Sequence, residues 1–324
     1  MTVQCQLCPK GCRIAPGESG DCRIRVNLDG KLTAVTYGYP TAVHVDPVEK
    51  KPVYHFLPGT SILSLATVGC NLHCKNCQNW EISQANPEDS DASHVPPEAV
   101  PALARRNDCP SVAYTYTEPL AYYEYTLDCC RAAREAGLRN VLVSAGYINE
   151  PPYRELCRYL DAATIDVKSF SDKFYREICD GTLKPVLRTL EVTKALNVEL
   201  EVSNLLVPTL NDTDQELRDL CRWLKQNLGA DTPLHFLRFF PQYRLRNLPP
   251  TPAETLTRAR DIARAEGMQY VYIGNLLEAD AGDTVCPQCQ KLLVRRQGFV
   301  LTENHVGADG QCPACKHRIY GVWK

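Results

Sequence analysis

The chain has no surplus of charge of either sign: 36 Lys and Arg stand against 38 Asp and Glu in 324 residues, a formal net charge of −2. That balance offers no strong field for a nucleic-acid backbone or an anionic membrane surface. Long apolar runs are missing as well. The longest stretch without a charged residue, Pro52 to Cys74, is broken by His55, Pro58, Gly59, Ser61 and Thr67, so it does not read as a membrane-spanning helix. The opening MTVQCQLCPKGC lacks the apolar core of a secretory leader, and a cytoplasmic location is the expectation. Nor is there a signature of disorder, because 44% hydrophobic and 23% charged residues are globular proportions. The length suits one large domain or two to three smaller ones. What the chain has in excess is cysteine, seventeen in all.

An odd number of cysteines in a long chain with no export signal speaks against a disulfide framework and for metal or iron–sulfur ligation. Spacing sorts them. Cys5, Cys8, Cys12 and Cys22 form C-x2-C-x3-C-x9-C, and Cys70, Cys74 and Cys77 form C-x3-C-x2-C. Cys286, Cys289, Cys312 and Cys315 form C-x2-C-x22-C-x2-C. The remaining six, Cys109, Cys129, Cys130, Cys157, Cys179 and Cys221, are scattered and read as small buried hydrophobes. The C-terminal set has the two-knuckle form of a zinc ribbon, with four thiolates for one tetrahedral ion. The N-terminal set is less regular; zinc is the first reading and an auxiliary iron–sulfur cluster the second. Three thiolates in the middle loop leave one metal position open to a small molecule. A zinc ion there would need a fourth ligand, for which His73 is the neighbour.

Composition divides the chain into four zones. Residues 1–27 form a Cys- and Gly-rich module that needs a metal to fold, and residues 28–60 a strand-bearing connection through KLTAVTYG and PVYHFLPG. Residues 61–280 alternate β-branched runs with amphipathic segments, and residues 281–324 form the second metal module. The strand candidates are SILSLATVG, SVAYTYTE, RNVLVSAG, ATIDVKSF, VELEVSNLLVP, PLHFLRFFP and YVYIGNL. Helices are expected over LAYYEYTLDCCRAAREAG, DQELRDLCRWLKQNLG and PAETLTRARDIARAEG, with Gly137, Gly229 and Gly267 as C-caps. Such alternation calls for an α/β fold with a parallel sheet, a whole or partial barrel. Reactive groups then gather at the C-terminal strand ends. Those ends carry Cys70, then Thr117 and Glu118, Ser144, Asp166 and Lys168. Glu201, Ser203 and Asn204 follow on the fifth strand, His235 and Arg238 on the sixth, and Asn275 after the seventh.

CNLHCKNC, Cys70 to Cys77, placed after the first barrel strand, resembles the signature of radical S-adenosylmethionine (SAM) enzymes. The resemblance implies a partial (β/α)6-type barrel and a 4Fe–4S cluster on these three cysteines that binds SAM. It also implies reductive cleavage to a 5′-deoxyadenosyl radical, which abstracts hydrogen from an unidentified substrate. TYTEP takes the place of the superfamily's Gly-Gly-Glu segment, which assigns Glu118 to the methionyl ammonium. Asp166-Val-Lys168 resembles the Asp-Leu-Lys of glycyl-radical-enzyme activases, with Lys168 near the methionyl carboxylate or ribose. Ser144, Glu201, Ser203 and Asn204 complete the implied cofactor-binding set. An electron donor such as flavodoxin or ferredoxin is implied too. The ordered segments CQLCPKGC, DPVEKKPVYHFLPG, YTYTEP, LHFLRFFPQY, YVYIGN and CPQC…CPAC are similar to the radical enzyme of the AmmeMemoRadiSam system, whose name implies Memo-like and AMMECR-like partners.

There are departures from the pattern. Asn76 stands where an aromatic usually precedes the third cysteine, and Trp80 is the substitute for adenine stacking. The third strand ends in VSAG, where activases carry Asp-Thr-Asn-Gly, which removes support for a cation site there. His44, His55 and His94 lie outside any ligand spacing, and His55 is expected to pack near the barrel. PQYRLRNLPPTP, with Arg244 and Arg246, reads as a loop or lid over an anionic substrate. Two rival readings remain, a glycyl-radical-enzyme activase and a zinc-dependent nucleic-acid-binding protein, the second opposed by the charge balance.

Overall fold

The computed structural model of the protein describes residues 1–276 and 280–324. Two small hairpins open the chain: β1 (Val3–Gln4) with β2 (Arg13–Ile14), and β3 (Arg25–Leu28) with β4 (Lys31–Ala34). The main sheet begins with β5 (Ala42–Pro47), antiparallel to β6 (Ser61–Ala66). It continues in strict chain order and parallel through β7 (Ser111–Tyr114), β8 (Arg139–Ser144), β9 (Ala162–Asp166), β10 (Glu199–Leu206), β11 (Leu234–Arg238) and β12 (Val271–Gly274). Among the described residues β5 and β12 are the unpaired edges. The seven parallel strands are the seven apolar runs of the sequence, and they are buried along nearly their whole length. This is what a parallel sheet covered by helices demands.

The helices are α1 (Trp80–Ser83), α2 (Val100–Arg106), α3 (Tyr123–Glu135), α4 (Glu150–Cys157), α5 (Asp172–Phe174), α6 (Leu183–Ala195), α7 (Asp214–Asn227) and α8 (Ala253–Ala265). In α7 the buried face is Leu217, Leu220, Cys221 and Leu224, one stripe at helical spacing. Its first turn is closed by Thr213, whose hydroxyl accepts from the Glu216 amide. Gly137 and Gly229 end α3 and α7 at φ +76° and +103°, the left-handed conformation that lets a chain leave a helix sharply. The six scattered cysteines are all buried, as packing residues should be.

Two elements differ from the reading of the sequence. Pro52–Gly59 forms no strand. Its amides are satisfied elsewhere: the Tyr54 and His55 N–H groups donate to Glu201, and Leu57 N–H to the Val322 carbonyl. The edge strand β5 is not marked in the sequence because Val43 and Val45 point to solvent and its buried residue is Asp46. The C-terminal module, β13 (Thr284–Val285), β14 (Leu292–Gln297) and β15 (Val300–Asn304), packs Cys286, Leu293, Val294, Cys312 and Ile319 with Tyr54, Tyr270 and Tyr272 of the main domain. Arg296 pins this seam, donating to the Tyr54 and Gly282 carbonyls from a buried position.

Candidate functional site

The loop after β6 leaves the sheet through Gly69, at φ +96°. A Cβ there would lie 2.5 Å from Ile24 Cγ2 and 2.9 Å from the Cys22 carbonyl, so only glycine fits. The loop is then laced to the rest of the chain. His73 N–H donates to the Cys179 carbonyl, Lys75 N–H to Ile178, and the Asn71 amide to Tyr147 at 2.7 Å. The receiving segment, Tyr175–Cys179, is a turn of π-helix, an irregularity frequent at functional sites.

Cys70, Cys74 and Cys77 line a cavity of about 370 Å³ at the C-terminal strand ends. Leu72 N–H contacts Cys70 Sγ at 3.4 Å, and the Ser83 hydroxyl contacts Cys77 Sγ at 3.2 Å. Burial, followed by the charge of Glu118, pushes the Cys70 thiol up well above its usual range. Such a group becomes a thiolate when a metal takes its charge. Asn76, in the same loop, also lines the cavity and keeps its amide oxygen buried without a partner. A donor set of three thiols and an orphaned acceptor facing one cavity fits a cluster with an open position and a polar ligand upon it.

Glu118, Ser144, Asp166 and Lys168 line this cavity with the cysteines. Glu118 is held by the Ser144 hydroxyl at 2.6 Å and by the amides of Ala145 and Leu120 at 2.9 and 3.1 Å. Burial raises its carboxyl, and these donors work against the rise. Lys168 Nζ pairs with Asp166 at 2.8 Å, and the Ser203 hydroxyl donates to the other Asp166 oxygen. Asn275 and His235 reach the same space from β12 and β11.

Glu201, Ser203 and Asn204 do not line the cavity. Glu201 stands low on β10, its carboxylate taken up by Tyr54 N–H at 2.5 Å, His55 N–H at 2.7 Å and His235 Nε2 at 2.6 Å. Burial alone would raise this carboxyl; the His235 and His55 contacts outweigh it and hold the group low. Asn204 donates to the Val167 carbonyl instead. Trp80 is also placed elsewhere: it stacks on Tyr243, with ring centroids 5.2 Å apart.

Groups that no spacing singled out complete the wall. Lys51, Tyr54 and Tyr116 line the cavity. Lys51 is 2% exposed, pairs with Asp46 at 2.7 Å and lies 4.1 Å from the Tyr116 ring centroid. Burial lowers its ammonium to about 8, and Asp46 limits the fall. Tyr116 donates to the same Asp46 carboxylate. The signal lay in DPVEKKP, whose Asp46 and Lys51 are close in sequence, but nothing local placed them against the cysteine loop.

The other cysteine sets differ from each other. Cys286 and Cys315 sulfurs are 3.6 Å apart, Cys289 and Cys312 sulfurs 3.7 Å, and all four lie within 4.8 Å of one another. Among the described residues, one other group of three ligand atoms is that close: Asp21, His73 and Asp180. There Lys10 bridges the two aspartates at 2.5 and 2.6 Å and compensates their charge.

Residues 64–224 match the profile of the Radical SAM superfamily. An uncharacterized protein of Methanocaldococcus jannaschii is 43% identical over 97% of this chain and 93% of its own length. The pyruvate formate-lyase-activating enzyme of Clostridium pasteurianum is 24% identical over 48% of this chain and 66% of its own. The crystal structure of a radical SAM methyltransferase from Sphaerobacter thermophilus superposes with a TM-score of 0.52, at 17% identity over 68% of each chain, a likeness of fold.

Proposed function

The chain belongs to the radical SAM superfamily, and from that premise we propose that Cys70, Cys74 and Cys77 hold its 4Fe–4S cluster and that the adjoining cavity receives SAM. The observation that carries this reading is the convergence of three loop thiols with Glu118, Ser144, Asp166 and Lys168 on one cavity. When bound, the cluster and SAM supply one-electron cleavage of the sulfonium, giving a 5′-deoxyadenosyl radical that abstracts hydrogen from a substrate not yet identified. The protein's part is orientation and exclusion of water. Glu118, fixed by Ser144 and two amides, accepts from the methionyl ammonium. Lys168, steered by Asp166, faces the carboxylate or ribose. Ser203 and Asn204 act behind them, through Asp166 and the Val167 carbonyl. Glu201 positions His235 at the cavity floor. Lys51, a buried cation beside Tyr116, suits an anionic group of the substrate.

At the finer level we place the chain in the AmmeMemoRadiSam subfamily, on the ordered motifs along its length, with Memo-like and AMMECR-like proteins as partners. We take β6 to β11 as a partial (β/α)6 barrel and assign the C-terminal four cysteines to zinc. Two thiolates on a tetrahedral zinc at a Zn–S distance of ~2.3 Å are about 3.8 Å apart, close to the 3.6 and 3.7 Å between the paired sulfurs. A flavodoxin- or ferredoxin-type protein serves as electron donor. No helix among the described residues is long and apolar enough to cross a membrane, and ligand thiolates require the reducing conditions of a cytoplasm.

The test is anaerobic reconstitution, reduction with dithionite and addition of SAM, with 5′-deoxyadenosine as the expected product. Protein with its full iron that yields none, and whose reduced-cluster spectrum SAM leaves unmoved, refutes the assignment. The activase reading draws on the C. pasteurianum relative. Phe299, from the C-terminal hairpin, lies in the cavity wall, which favours a small substrate over the backbone of a large partner. Mixing with a glycyl-radical enzyme and finding a glycyl radical by EPR would reverse that preference.

A further inference from the structure

We infer that the N-terminal module is a second iron–sulfur site, in which Cys5, Cys8, Cys12 and Cys22 hold an auxiliary cluster against the loop that carries Cys70. Sulfur spacing is the first ground. Four thiolates on a single zinc ion gather at its tetrahedral corners, as the C-terminal set does within 4.8 Å. The N-terminal thiols line one common cavity, yet no three of them come within 4.8 Å of one another. The Cys70, Cys74 and Cys77 sulfurs likewise do not all lie within 4.8 Å of one another; the comparison rests on their proposed role as cluster ligands. In a 4Fe–4S cluster each thiolate binds a different iron, so the sulfurs stand further apart than on one ion. The N-terminal set is therefore not drawn together as the C-terminal set is, which suits a cluster better than a single ion.

An unpartnered donor is the second ground. Arg25 lines the same cavity and is 8% exposed. Its two terminal nitrogens bind the Glu124 carboxylate at 2.7 Å each, while its Nε–H is buried without an acceptor. A buried N–H left unpaired is costly, and the sulfurs of an anionic cluster are acceptors for it. Shielding agrees, since Cys5, Cys8 and Cys22 are all buried.

Position is the third. The module packs against the loop on both sides of Cys70: a Cβ at Gly69 would lie 2.9 Å from the Cys22 carbonyl, and Asn71 lines the N-terminal cavity. The second cluster would thus lie next to the first, separated by the Cys70 backbone.

Metal analysis after anaerobic reconstitution with iron and sulfide decides the matter. Wild-type protein is expected to carry about eight irons and about one zinc per chain, and the variant Cys70→Ala/Cys74→Ala/Cys77→Ala about four irons and the same zinc. The dithionite-reduced variant should keep the EPR signal of a reduced cluster, and adding Arg25→Leu should shift its midpoint potential. Wild-type protein with about two zinc and about four irons overturns the inference, as does a triple variant with intact zinc and no iron. Should the triple variant not fold, the wild-type metal count alone still decides. Full loading with no 5′-deoxyadenosine would count against the proposed reaction and leave the second site standing.

Discussion

Single residues in this protein act through what burial does to their charge. Glu118 is an acid held by three donors inside a cavity, and its proposed task depends on keeping a negative charge there. Glu118→Gln preserves the shape and removes that charge. Charge-assisted hydrogen bonds contribute about 1.5–3 kcal/mol, so SAM affinity of the reconstituted enzyme should fall by about 10- to 100-fold with iron content unchanged. Titration of SAM into the reduced protein, followed by EPR, measures it. His55 shows the opposite economy. It is fully buried, with Nδ1 at 2.6 Å from the Tyr320 carbonyl and Nε2 at 2.6 Å from the Tyr272 hydroxyl. Burial lowers it from 6.5 to about 4. A depressed pKa means that the unfolded chain takes up the proton first, so this stability is complete above pH 6.5 and is lost as pH falls towards 4. The loss amounts to about 3 kcal/mol. Unfolding of wild type and His55→Gln by denaturant at pH 7 and pH 4 should show their gap narrowing by about that amount; an unchanged gap would contradict a neutral buried imidazole.

Among the elements, the loop after β6 matters most, and its exit through Gly69 is the point where two modules meet. Gly69→Ala places a methyl group against Ile24 and the Cys22 carbonyl in a backbone conformation that disfavours any side chain. The expected cost is about 1–3 kcal/mol, with a lower melting temperature and reduced iron retention. Gly137→Ala at the end of α3 also sits at a positive φ, +76° against +96°, but with nothing within 4 Å of the added methyl group. It should cost less and leave iron content unchanged, which separates contact from backbone strain. The seven parallel strands were legible because each is a short apolar run set off by turn residues. Pro52–Gly59 misled because its apolar residues serve a seam between modules: Phe56 bridges to Val322, and Tyr54 packs with Tyr272 and Arg296.

For the whole molecule, the C-terminal module is more than an appendage. Its core includes Tyr54, Tyr270 and Tyr272, and Arg296 spans the seam. If zinc holds it, Cys289→Ser should lower zinc by about one per chain. Residues 281–324 should become the first segment cut in limited proteolysis, and the melting temperature should fall. A variant with unchanged zinc and protease resistance would refute the zinc assignment. Because Tyr54 and Phe299 also line the cavity of the three loop cysteines, the same variant should impair 5′-deoxyadenosine formation despite its distance in sequence from Cys70.

By itself the sequence determined the pattern-borne features: three spaced cysteine sets, alternating strands and helices, glycine caps, and the strand-end positions of Glu118, Ser144, Asp166 and Lys168. These are local, because spacing and periodicity are carried by neighbours in the chain. Only the tertiary structure decided which groups meet. Lys51, Tyr54 and Tyr116 joined the cysteine cavity, while Glu201 left the rim to bind His235 and the Tyr54 and His55 amides. Trp80 went to Tyr243. It also drew the four C-terminal sulfurs within 4.8 Å of one another and not the N-terminal four. Such pairings join residues as far apart as 163 positions, for Trp80 and Tyr243, and depend on sheet register and loop path, which no window of sequence contains.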